Sequence, residues 1–132
     1  MITGVDHIAI AVENLEDAVK LYEKVLGIKP EQITPFDPQK VKVAIFKVGE
    51  TKIELISPLS PESAVTKFLQ KRGEGLHHIA FKVDKIEEAL NTLKREGIRL
   101  VDEQPRLGVE GAKVAFLHPK SLKNVLIELC QK

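Results

Sequence analysis

Apolar positions along this chain follow two periods that take turns. In "VDHIAIAV" (Val5 to Val12), Ile8, Ile10 and Val12 alternate with a second set of side chains. "LHHIAFKV" (Leu76 to Val83) repeats the alternation with Ile79, Phe81 and Val83. Both are predicted strands, apolar and partly β-branched. The period then lengthens. Leu15, Ala18, Val19, Tyr22 and Leu26 fall at helical spacing in "NLEDAVKLYEKVLG", with Asn14 as N-cap and Gly27 as stop. Ile86, Ala89, Leu90 and Leu93 form a second helical stripe that ends at Gly97. Three further strands are predicted after each helix: near Ile28 to Thr34, Val41 to Val48 and Lys52 to Ser57, then Ile98 to Asp102, Ala112 to His118 and Val125 to Cys130. Between the two sets, "SPESAVTKFLQKRGEG" offers Ser60 or Ser63 as caps and a short stripe of Ala64, Val65, Phe68 and Leu69, which predicts a connecting helix.

The two sets are copies of each other. Displacing the chain by the interval from His7 to His78 lays Gly4, His7, Ile8, Ala9, Val12, Glu16 and Ala18 on identical residues at Gly75, His78, Ile79, Ala80, Val83, Glu87 and Ala89. The same shift lays "KVAIF" (Lys42 to Phe46) on "KVAFL" (Lys113 to Leu117). With three residues of slack, "IEL" at Ile53 to Leu55 meets "IEL" at Ile127 to Leu129. A repeat this long, present twice, is not a solenoid. The predicted fold is α+β: two tandem βαβββ modules forming a curved mixed sheet. Residues 1–132 form a single domain, with module 1 about 1–60, the connecting helix about 61–73 and module 2 about 74–132.

Strand parity singles out four side chains. His7 lies on the face opposite Ile8, Ile10 and Val12, beside the small Ala9 and Ala11. His78 lies opposite Ile79, Phe81 and Val83, beside Ala80. The repeat matches His7 with His78, and His77 with Asp6, so His77 is expected to be structural or a neighbour behind the ligands. Glu54 opposes Ile53 and Leu55 in parity, and Glu128 opposes Ile127 and Leu129. A single strand histidine or glutamate is usually structural or solvent-facing. A His and a Glu recurring together in both modules favour ligation, because an acid within an apolar strand is costly to bury unless paired or bound to a metal.

Composition narrows the class. The chain has 132 residues, 43% hydrophobic and 30% charged, with a net charge of +1, an ordinary balance for a domain with a real core. Evenly mixed charge, five Phe and one Tyr give no nucleic-acid surface, so no nucleic-acid partner is expected. The N-terminus "MITGVDHIAIAV" shows no basic leader or long apolar stretch, so no signal peptide and no membrane partner are expected. A single cysteine, Cys130, forms no internal disulfide and fits a cytoplasmic setting. It shares the parity of Glu128 but has no other mark of reactivity.

Two imidazoles and two carboxylates make a hard-to-borderline set that suits Mn, Fe, Co, Ni or Zn better than Ca or Mg. One such divalent ion per chain is expected. If it is six-coordinate, two positions remain for chelating oxygens of a substrate, and the ion acts as a Lewis acid for a developing enolate.

The paired modules with their His/Glu repeat resemble the vicinal oxygen chelate (glyoxalase) superfamily. Within it, "VDHIAIAVENLEDAVKLYEKVLG", "TKIELISPLSPESAVTKFLQKRGEGLHHIAFKVD" and "DEQPRLGVEGAKVAFLHPKSLKNVLIEL" are similar to methylmalonyl-CoA epimerases over nearly the whole chain. The resemblance implies metal ligands at His7, Glu54, His78 and Glu128. It also implies a CoA thioester substrate and epimerisation by removal and return of the α-proton. Glu128 is the first candidate base. Where several members carry a second glutamate, this chain has Val43, so the second candidate is Glu54 or a metal-bound water. Some members have Gln in place of Glu54, which makes this site the more anionic. Asn124 stands where the family commonly has glycine. "PRLGVEGAK" reads either as a flexible loop beside the site or as a plain hairpin connection. Lys120, with Lys123 or Arg106, is expected to meet CoA phosphates. A homodimer is expected by resemblance alone. The alternatives are a glyoxalase I-like lyase using the same ligands, and a metal-free binding module of the same fold that needs none of them.

Overall fold

The computed structural model describes residues Met1–Lys132, which divide into two compact units: His7–His77, and His78–Lys132 together with Met1–Asp6. Each contains a βαβββ arrangement, so the fold is the expected α+β one.

In the first unit, β1 (Ile2–Ala11, from His7 onward) is followed by α1 (Leu15–Leu26). The Asn14 side chain accepts the Asp17 N–H at 3.1 Å, and Gly27 closes the helix in the left-handed region at φ 71°. Then come β2 (Gln32–Phe36), β3 (Val41–Val48), β4 (Thr51–Pro58) and α2 (Ala64–Arg72). The strand order is β2-β3-β4-β1. β1 lies parallel to β4, and the other pairs are antiparallel. Val12, Leu15, Ala18, Val19, Ala44, Phe46 and Leu55 form the core between sheet and α1, with Ile10, Tyr22, Leu26 and Ile53 against it. Burial of Phe46 or Leu55 contributes about 1.5–3 kcal/mol each. Ser63, rather than Ser60, caps α2. Its hydroxyl accepts the Val65 N–H and donates to the Gln39 carbonyl.

The first predicted strand after α1 begins later than expected, at Gln32 rather than Ile28. Pro30 has no N–H to give a ladder, so pairing starts beyond it.

In the second unit, β5 (Gly75–Val83, from His78 onward) precedes α3 (Ile86–Arg95), β6 (Arg106–Leu107), β7 (Lys113–Leu117) and β8 (Ile127–Gln131), in the order β5-β8-β7-β6. β5 is parallel to β8, and β7 is antiparallel to both its neighbours. Val83, Ile86, Ala89, Leu90, Ala115, Leu117 and Leu129 form its core. Lys85 cannot cap α3. Gln131 does so from β8, its side-chain oxygen accepting the Ile86 N–H at 2.8 Å. The Met1 ammonium bonds Asp84 at 2.9 Å and holds that carboxyl below its usual range.

The strand expected at Ile98 to Asp102 does not form. Leu100 makes one isolated bridge to Leu117. The Asp102 side chain accepts the Phe116 N–H at 2.9 Å, taking the place of a strand partner's carbonyl. The edge strand is Arg106–Leu107 instead.

"PRLGVEGAK" forms a hairpin connection between β6 and β7. The Gly108 N–H donates to the Ala112 carbonyl at 2.8 Å, and a short 3-10 turn spans Val109–Gly111. A Cβ on Gly108 would stand 2.5 Å from Cγ1 of Val114, a buried β-branched side chain. Gly108→Ala is therefore expected to cost about 1–3 kcal/mol in urea unfolding. A loss under about 0.5 kcal/mol would mean that the hairpin yields freely. Asn124 sits at φ 68°, a conformation asparagine tolerates better than most residues, so it can stand in for the family's glycine.

Candidate functional site

Each unit carries one half of the predicted quartet. In the first, β4 places Glu54 between Ala9 of β1 and Ile45 of β3 as cross-strand neighbours. His7 Nδ1 stands 3.5 Å from Glu54 Oε2. In the second, β8 places Glu128 between Ala80 of β5 and Phe116 of β7, with His78 Nε2 at 3.0 Å from Glu128 Oε1. The two registers correspond position by position: Ala9 with Ala80, Glu54 with Glu128, Ile45 with Phe116.

Both glutamates are 5% exposed and both histidines 6%. A carboxylate so withdrawn from water is costly by several kcal/mol unless compensated, and here each has an imidazole beside it. The faces are as parity requires. Ile10, Ile53 and Leu55 pack into the core of the first unit, while Phe81, Ile127 and Leu129 pack into the core of the second.

His77 behaves differently from His78. It faces α2, its ring 4.8 Å from that of Phe68 at a steep angle. Cys130 is buried with Ala112 and Val114. Val43 is 1% exposed opposite Ile56, so β3 brings an apolar wall and no acid at that position. Lys120 lies exposed on the turn Pro119–Leu122. Arg106 is partly exposed on β6, its Nε 3.3 Å from Asp102 Oδ2 and its Cζ 5.4 Å from the centre of the Phe116 ring.

Two residues beside this half-site, Phe116 and Asp102, escaped the sequence reading. The available signal was the exchange of Ile45 for an aromatic at the matched repeat position.

The family model of the Glyoxalase/Bleomycin resistance protein/Dioxygenase superfamily matches residues 6–116, and the chain belongs to that superfamily. It is 41% identical over 127 residues to the human mitochondrial methylmalonyl-CoA epimerase, covering 96% of this chain and 72% of the human protein. It is 38% identical over 133 residues to the ethylmalonyl-CoA/methylmalonyl-CoA epimerase of Cereibacter sphaeroides, covering 99% of each. A solved structure of a Streptomyces coelicolor methylmalonyl-CoA epimerase variant in complex with 2-nitronate-propionyl-CoA is 33% identical, with a TM-score of 0.95 over 100% of this chain and 96% of that one. Within the superfamily, the chain belongs to the methylmalonyl-CoA epimerase family. No helix is long and apolar enough to cross a membrane.

Proposed function

We propose that this chain is an isomerase that interconverts the two epimers of methylmalonyl-CoA by removing the α-proton and returning it on the opposite face. The observation that carries this reading is the buried His–Glu pair present at matched register in each unit. Family membership supplies the substrate class. Residues 1–132 act as one catalytic domain, read as cytoplasmic and homodimeric.

The donors suit a divalent metal. The proposed ligands are His7 and Glu54 of the first unit and His78 and Glu128 of the second, all four buried. Two nitrogen and two carboxylate donors favour Co, Mn, Ni, Fe or Zn over Ca or Mg. When bound, the ion supplies Lewis-acid stabilisation of the charge that grows on substrate oxygen as the α-proton leaves.

The protein's own groups move the proton. An epimerase needs an acid–base group on each face of the planar intermediate. Glu128 takes or returns the proton at a carboxylate oxygen on one face, and Glu54 does so on the other. The matched β3 and β7 positions, Val43 and Val114, carry no acid that could compete. Low exposure keeps water from competing for the carboxylates. Lys120 and Arg106 are the cations assigned to CoA phosphates.

The test is proton exchange. Metal-loaded protein incubated with methylmalonyl-CoA in heavy water is expected to place deuterium at the α-carbon of both epimers, and a chelator should return the rate to background. Metal-loaded protein that exchanges no faster than buffer would overturn the proposal.

A further inference from the structure

His78 packs against Phe116, the cross-strand neighbour of Glu128. Phe116 is buried, and its ring stands perpendicular to the His78 imidazole at a centroid distance of 5.3 Å. Above the Phe116 ring lies the Arg106 guanidinium, at 5.4 Å. Arg106 is held by Asp102, whose Oδ2 also accepts the Phe116 N–H. The Phe116 carbonyl is fixed as well, accepting the Val101 and Asp102 N–H groups at 2.9 and 3.2 Å. Thus both backbone groups and the ring of Phe116 are tied down by one short segment. In the first unit the corresponding residue is Ile45, and there Nδ1 of His7, rather than Nε2, faces the glutamate.

The orientation of an imidazole about its outer torsion is only weakly set by the side chain itself, so packing decides it. We propose that Phe116, backed by Arg106 and Asp102, is a positioning residue that holds the His78 ring with Nε2 directed at Glu128 and so prepares this half-site for a divalent metal. The proposal rests on the reading of His78 as a ligand.

Titration of the full chain with Co²⁺ alone, followed by visible absorption and calorimetry, tests this without substrate. Phe116→Leu is expected to weaken Co²⁺ binding about 10-fold, the lower end of what partners behind metal ligands contribute, and to shift the visible band. Phe116→Tyr, which keeps the ring, should stay within about twofold of the wild type. Leu117→Val, on the same strand but facing α3, should lower stability and leave Co²⁺ affinity unchanged. Arg106→Ala should weaken binding about threefold, the scale of one cation–π contact. Wild-type affinity and band in Phe116→Leu would overturn the proposal. Should that variant not fold, Arg106→Ala decides: a threefold loss upholds the brace and an unchanged affinity overturns it. His78→Ala separates the two levels. If it binds Co²⁺ like the wild type, His78 is not a ligand and both readings fall. If it loses Co²⁺ while Phe116→Leu and Arg106→Ala keep it, only the brace falls.

Discussion

His78→Ala is expected to strip the bound divalent ion, while His77→Ala keeps it. The two residues are adjacent, and only strand parity separates them. His78 points to the face that carries Glu128, and its Nε2 lies 3.0 Å from that carboxylate. His77 points to the other face and packs against Phe68. Removing the His78 imidazole deletes one of the four proposed donors together with the 3.0 Å contact to Glu128. The loss in affinity should therefore exceed the roughly 10–100-fold that follows from losing a group behind a ligand. His77→Ala removes an aromatic contact and should cost about 1 kcal/mol of stability with metal content unchanged. Metal analysis after exhaustive dialysis reads both outcomes directly. Equal losses from the two variants would mean that Glu128 and His78 do not share a ligand set.

Much of this site is legible in the sequence because two independent regularities agree. Parity places a side chain on one face, and the internal repeat names its counterpart. The paired registers Ala9 with Glu54 and Ala80 with Glu128 are what that agreement looks like in three dimensions. The helix stripes of α1 and α3 are legible for a similar reason, since each is a local pattern with a local stop. What sequence reasoning missed depends on contacts between distant residues. Asp102 replaces a strand's carbonyl with its side chain, which moves the edge strand to Arg106–Leu107. Gln131 caps a helix that starts at Ile86. The role of Phe116 emerges only once β7 lies beside β8 and the ring meets His78. Neither propensity nor period encodes such pairings.

Glu128→Gln separates the ligand role of this residue from its acid–base role. The amide oxygen can still donate to a metal and still accept a hydrogen bond from His78, but it cannot take up a proton at neutral pH. Metal should persist, and epimerisation should fall by about two to four decades, the usual worth of a positioned acid–base group. Direction adds a sharper test. With Glu54 and Glu128 serving opposite faces, loss of one slows proton removal from one epimer more than from the other. In heavy water, deuterium wash-in should then become unequal between the epimers, and Glu54→Gln should reverse the inequality. Exchange followed by mass spectrometry on each pure epimer measures this. A Glu128→Gln protein that keeps its metal and its full rate in both directions would reduce Glu128 to a ligand. An equal slowing of both epimers in both variants would mean that the two carboxylates do not divide the faces between them.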